Sequence, residues 1–296
     1  MALLVSSSSV PASLPGSIPR GRSGVGFYVL SHWHLCSLDA PTVAVLWTAF
    51  IAHTCGLALP WTALAAMAVA VWILYAADRL LDARLLDDSH TKELEARHHF
   101  HHRHRRVFCL GIVAASLLLA PLLLAIPSAA IRLYLVEGAL LTGWFALIHI
   151  LPSSTRLPKE LAVGPFFAAA VFIPTVAREP QLRAGLIVPA VLLALVCSLN
   201  CLFIYAWEHD ATTRQRAHPL TRLALRRLPW LAASAGLASI AAAIAWPHAP
   251  LSAACALAIA ALLTLHARRH TLDRLTLRAA ADVALLTPIL LLGLPR

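Results

Sequence analysis

Residues 72–89 read "WILYAADRLLDARLLDDS", from Trp72 to Ser89. Four aspartates, Asp78, Asp82, Asp87 and Asp88, fall within eleven residues directly after a stretch apolar enough to sit in a bilayer. Carboxylates are costly inside hydrocarbon, so an abrupt change from apolar to acidic residues marks a helix leaving the membrane. What those carboxylates hold decides the function: water, a neighbouring arginine, or a metal ion with a substrate behind it.

The rest of the chain supports the membrane reading. Of its 296 residues 59% are hydrophobic and only 13% charged, and the mean hydropathy is strongly positive. A soluble domain is nearer half apolar and a quarter charged. Runs long enough for a spanning helix occur nine times, at 41–59, 61–77, 107–126, 130–151, 160–177, 184–207, 228–246, 249–267 and 279–294. Pro60, Pro127, Pro152, Pro229 and Pro247 punctuate them, as suits helix ends. With nine spans, 20 of the 24 Lys and Arg residues fall on one side of the membrane, which assigns that side to the cytoplasm. The net charge of +10 is then a matter of orientation, and nucleic-acid binding has no support.

Residues 1–38 read as a disordered tail, small and rich in Ser and Pro, and residues 39–296 as one nine-helix transmembrane domain. The apolar "ALLV" at residues 2–5 is too short for a signal-peptide core. The six cysteines have no CxxC or framework spacing and read as small buried hydrophobes. Outside connections are short, whereas the inside loops 78–106 and 208–227 are long and carry the unusual acids. Nothing in the pattern fixes an oligomeric state.

Asp78 and Asp82 are four residues apart and share a helix face, while Asp87 reaches that face only if the helix breaks. "ILYAADRLLD" from Ile73 and "FIYAWEHDAT" from Phe203 both end a span on the inside, both contain Tyr-Ala-x-acid, and lie 130 residues apart. Asp78 then corresponds to Glu208. The echo suggests two pseudo-repeated halves around a central cavity, with a site lined by Asp78, Asp82, Glu208 and Asp210. Clustered carboxylates repel one another unless a cation lies between them, and an all-oxygen set shared with a phosphate suits Mg²⁺. The simpler alternative is that these acids cap helices and pair with Arg79, Arg84 or Arg214.

Nine spans with acidic clusters after the second and the sixth resemble the UbiA superfamily of intramembrane prenyltransferases. In its first motif, N-D-x-x-D-x-x-x-D, Asp78 stands at the Asn, Arg79 at the first Asp and Asp82 at the next, while Leu86 takes the last position with Asp87 one residue late. The second site keeps Tyr205, Glu208 and Asp210, and "LPKELAVG" from Leu157 is similar to the family's basic loop. The resemblance implies a Mg²⁺-dependent transfer of an isoprenyl group from a prenyl diphosphate to a lipophilic acceptor. It implies that Asp78, Asp82, Glu208 and Asp210 serve as the catalytic metal ligands and that Arg79 and Lys159 contact the diphosphate. Tyr205 and Asn200 join them as substrate-binding residues, Asn200 lying about 12 Å deeper along its helix than Glu208. The implied setting is a bacterial inner membrane with the N-terminus and acidic motifs cytoplasmic and the C-terminus outside.

Other features are weighed against this reading. "RHHFHHRHRR" at 97–106 lacks fixed ligand spacing and reads as a contact with anionic membrane lipids. Glu137 is expected to pair with Arg132, and Asp282 to line the cavity or pair with Arg278. Trp47, Trp61 and Trp246 read as interfacial anchors. CDP-alcohol phosphotransferases need glycines in their motif, and this chain has none between Leu57 and Leu110. A lipid-binding protein without turnover and an acid-lined transporter remain the alternatives to the enzyme.

Overall fold

The computed structural model describes residues 32–85, 103–150, 158–215 and 217–293, which are helical with no strand among them. The helices are α1 (Asp39–Thr54), α2 (Trp61–Leu85), α3 (Arg105–Leu124), α4 (Ser128–Ile150), α5 (Lys159–Arg178) and α6 (Arg183–Glu208). They continue as α7 (Ala211–Gln215), α8 (Pro219–Arg226), α9 (Leu228–Ala245), α10 (Ala249–Ala267), α11 (Arg274–Ala284) and α12 (Pro288–Leu291). Seven of them, α2 to α6 together with α9 and α10, are long and apolar enough to cross a membrane. The chain is an integral multi-pass membrane protein.

Prolines open several of these helices, in first turns where no backbone donor is missed: Pro219 in α8, Pro229 in α9 and Pro250 in α10. Most long neighbours in sequence pack as hairpins, α3 and α4 excepted, and α1, α5, α6 and α10 meet in the middle. Trp47, Phe50, Leu193, Phe203 and Ile259 fill that centre. On α3 and α4, by contrast, Leu110, Leu117, Leu124 and Leu140 are exposed. Such a surface would be a liability in water, but it is what acyl chains require.

Two of the nine expected crossings take another form. α1 has 16 residues, about 24 Å of helix, and falls short of the ~20 residues a bilayer needs. It nevertheless reaches from the Arg79 end of α2 to the turn between α9 and α10. Asp39 at its start bonds to Arg79 at the end of α2, and Cys55 just past its end lies 3.9 Å from His248 between α9 and α10. The expected span 279–294 is broken into α11 and α12. Pro288 cannot donate to the preceding turn, and the Thr287 hydroxyl instead donates to the Ala254 carbonyl at 2.9 Å.

Trp47 is no interfacial anchor. It is 1% exposed, and its indole N–H donates to the Leu285 carbonyl at 2.9 Å, at the very break between α11 and α12. A helix break strands carbonyls, and a buried indole satisfies this one. Trp47→Phe should therefore lower unfolding stability in detergent by about 2 kcal/mol, the cost of an unpaired buried carbonyl. Trp61 and Trp246 are exposed near helix ends. All six cysteines are free, with Cys197 and Cys255 buried. The expected tail boundary at residue 38 cuts through ordered structure, because residues 32–35 form a helical turn and His34 within it is fully buried.

Candidate functional site

A buried ionic network closes one end of the bundle, and Asp39 is its hub. As the first residue of α1 it is 1% exposed, yet its carboxylate accepts four hydrogen bonds. Oδ2 takes them from His34 Nδ1 at 2.7 Å, Arg79 Nη2 at 3.1 Å and the Tyr75 hydroxyl at 3.2 Å, and Oδ1 takes one from the Ala40 N–H at 3.1 Å. An ionised acceptor on this side assigns the hydrogen of the imidazole to Nδ1. Arg79 in turn donates to the His34 carbonyl at 2.9 Å and to the Tyr75 hydroxyl at 2.5 Å. Tyr75 and Arg79 are one helical turn apart on α2, so ring and guanidinium reach Asp39 together.

The second half of the network comes from α6 and α11. Asp282 Oδ2 lies 3.5 Å from His34 Nδ1, and Asn200 Nδ2 donates to Asp282 Oδ1 at 3.3 Å. One turn before Asp282, Arg278 forms an ion pair with Glu208 at the end of α6. Four helices and the turn before α1 thus meet through charged side chains. Bare charges would be prohibitive here, and mutual pairing is what makes the burial tolerable.

The residues singled out in the sequence divide accordingly. Arg79, Asn200 and Glu208 enter the network. Arg79 is 4% exposed and fully engaged, so in this arrangement it braces the helix ends and does not present itself to a diphosphate. Asp78 is half-buried on α2. Asp82 lies one turn further along the same helix, but its side chain is outside the described residues, as are Asp87, Asp88 and residues 97–102 of the histidine run. Asp210 is exposed and accepts from the Thr213 N–H at 2.8 Å at the start of α7; these bonds from Thr213 hold its carboxyl below the usual range. Tyr205, the counterpart of Tyr75, stacks on His209 with ring centres 4.1 Å apart, so the two halves of the echo use their tyrosines differently. Lys159 is exposed at the start of α5. Arg132 and Glu137, expected to pair, form no ion pair among the described residues.

Among the described residues one group has the residue types and spacing of a metal site: His34, Asp39 and Asp282, with one ligand atom of each within 4.8 Å of the others. Arg79 already supplies positive charge to Asp39 there, so the group reads as an ion-pair network. Asp78, Glu208 and Asp210 form no three-ligand group. Glu208 is neutralised by Arg278 and Asp210 caps a helix, so the expected four-carboxylate Mg²⁺ set does not fit as a unit; Asp78 and Asp82 remain as its α2 half.

The pattern of residues overlooks His34, Asp39 and Arg278 as site residues. A signal for Asp39 did exist: an arginine one turn beyond a tyrosine on an apolar helix needs a carboxylate from elsewhere. Fold and network together define a helical-bundle membrane protein whose helix ends are tied at one face by buried charges. In comparisons with known proteins no family model matches the chain, and neither does any curated protein or solved structure.

Proposed function

We propose that this protein is an intramembrane transferase that moves an isoprenyl group from a prenyl diphosphate to a lipophilic acceptor, with Mg²⁺ as cofactor. The observation that supports this reading is that α2 and α6, the two helices ending in the Tyr-Ala-x-acid echo, are joined at those ends through one buried network. Such bracing holds the acidic end of α2 in a fixed place beside α6, as a two-sided diphosphate site requires. Asp78 and Asp82 would hold the Mg²⁺, and Lys159 would meet the diphosphate. Arg79 and Asp39 act as positioning residues behind them. When bound, Mg²⁺ would supply neutralising charge to the departing diphosphate.

In the same proposal α1 and the broken α11–α12 pair complete nine crossings in two repeated halves. The network would then lie at the cytoplasmic face, the side that the distribution of basic residues favours, of a bacterial inner membrane. Asp82→Asn tests the assignment. It should abolish Mg²⁺-dependent binding of farnesyl or geranylgeranyl diphosphate to the purified protein while leaving thermal unfolding unchanged. Binding that survives this substitution removes Asp82 from the site.

One observation favours the transporter alternative: the helix break at 285–287 lies beside a buried acid, Asp282, as broken helices do in transporters. A transporter would bind neither isoprenyl diphosphate in a Mg²⁺-dependent way.

A further inference from the structure

We infer that Asp282 is a proton-binding site, a carboxyl kept neutral by its place between an ionised aspartate and an occupied arginine. The network holds three carboxylates, Asp39, Glu208 and Asp282, against two guanidiniums, Arg79 and Arg278. Among the described residues, and with a single hydrogen on the His34 ring, one positive charge is missing. Asp39 accepts four donors, and Glu208 holds Arg278, so both are committed as anions. Asp282 accepts a single long hydrogen bond at Oδ1, and its buried Oδ2 has no hydrogen-bond partner. A carboxylate oxygen that faces a neighbour's ionised carboxylate across 3.5 Å to a shared imidazole, with no donor of its own, is where an added proton relieves both repulsion and desolvation.

Burial and the Asp39 carboxylate favour a neutral Asp282, while His34 and Arg278 act the other way. His34 and Asp39 face it from the start of α1, Tyr75 and Arg79 from α2, and Asn200 and Cys201 from α6. Arg278 lies one turn before it on α11. Of the titratable residues on α10, the other long helix packed on α11, His266 is bonded to the Trp207 indole and Cys255 is a buried thiol. A divalent cation at the same place would overshoot the missing charge and sit against Arg79, whereas one proton balances it.

Arg278 Nε is buried and unpartnered, one helical turn from Asp282 Oδ2. Loss of the proton to water leaves a carboxylate that can draw this donor in, so Arg278 becomes shared between Asp282 and Glu208. Protonation of α11 is thereby linked to the end of α6.

Infrared difference spectroscopy of the full chain in detergent, in H₂O and D₂O across a pH series, tests this. The wild type should show a carbonyl band of a protonated carboxylic acid near neutral pH that shifts in D₂O. Asp282→Asn should remove it, and Asn200→Ala should move it without removing it, which keeps the test open if the first variant does not fold. Glu137→Gln, as a control, should leave this band in place. Thermal unfolding adds a second reading: stability conferred by the proton is present at low pH and lost as pH rises through the value at which folded Asp282 deprotonates, and Asp282→Asn should flatten that loss. A spectrum in which no carboxylic-acid band responds to either variant overturns the inference, as does one bound divalent metal per chain that disappears in Asp282→Asn.

Discussion

Arg79→Ala is expected to cost the fold about 3–5 kcal/mol, the penalty for leaving a buried charge without its partner. The substitution strips Asp39 of its guanidinium and leaves the His34 carbonyl and the Tyr75 hydroxyl each short of a donor. Arg79→Lys should recover only part of this, because one ammonium cannot reproduce a fork that reaches a carbonyl, a hydroxyl and a carboxylate at once. The double replacement Arg79→Met with Asp39→Leu should recover more than either single change, since removing both charges removes the desolvation cost with them. Unfolding of detergent-purified protein, followed by helical signal, reads all three. A loss below about 1 kcal/mol in Arg79→Ala would place the pair at an exposed surface, and the network would not be what ties the helix ends together.

Gly164→Ala should be comparably damaging for a different reason. Gly164 lies where α5 crosses α6, and an added Cβ would run into the Ala194 carbonyl and the Ser198 hydroxyl, with the Ser198 backbone nitrogen at 2.9 Å. These are backbone and near-backbone atoms of a neighbouring helix, so relief requires the helices to part. The Ser198 hydroxyl already donates to the Leu161 carbonyl at 2.9 Å across the same contact. Between membrane helices there is little hydrophobic drive to compensate, and close approach at a small residue supplies the packing. A loss of about 3 kcal/mol is expected, at the upper end for overpacking. Gly143→Ala, where an added Cβ meets nothing within 4 Å inside α4, should be neutral or stabilising by up to about 1 kcal/mol. Equal effects at the two glycines would mean that the α5–α6 crossing is looser than described.

Both predictions rest on contacts that composition does not reveal, and that division runs through the molecule. Helix number and type were legible because long apolar runs have no other use, and seven of the nine runs are helices of spanning length. The other two are not single helices of spanning length: α1 stops at Thr54, and Thr287 with Pro288 interrupts the last run. Charge counting drew attention to the acidic ends of α2 and α6, and three of the residues named with them, Arg79, Asn200 and Glu208, do enter the network. Their partners were not legible. Asp39, His34 and Arg278 are distant in sequence and unremarkable locally, an acid opening a helix, a histidine in a Ser-rich tail and a basic residue in a basic loop. Only the fold brings Asp39 to Arg79, forty residues away, and Arg278 to Glu208, seventy away. Trp47 was misread for the same reason, since its indole partner, Leu285, belongs to the far end of the chain.

The claim that this braced helix end serves a diphosphate is tested most directly by thermal stability of the wild-type protein with farnesyl or geranylgeranyl diphosphate, in Mg²⁺ and in EDTA. A donor present at 100 times its dissociation constant should add about 2.7 kcal/mol. The account predicts that increase with Mg²⁺ and its loss in EDTA. An unchanged unfolding curve with both donors, in the presence of Mg²⁺, would contradict it.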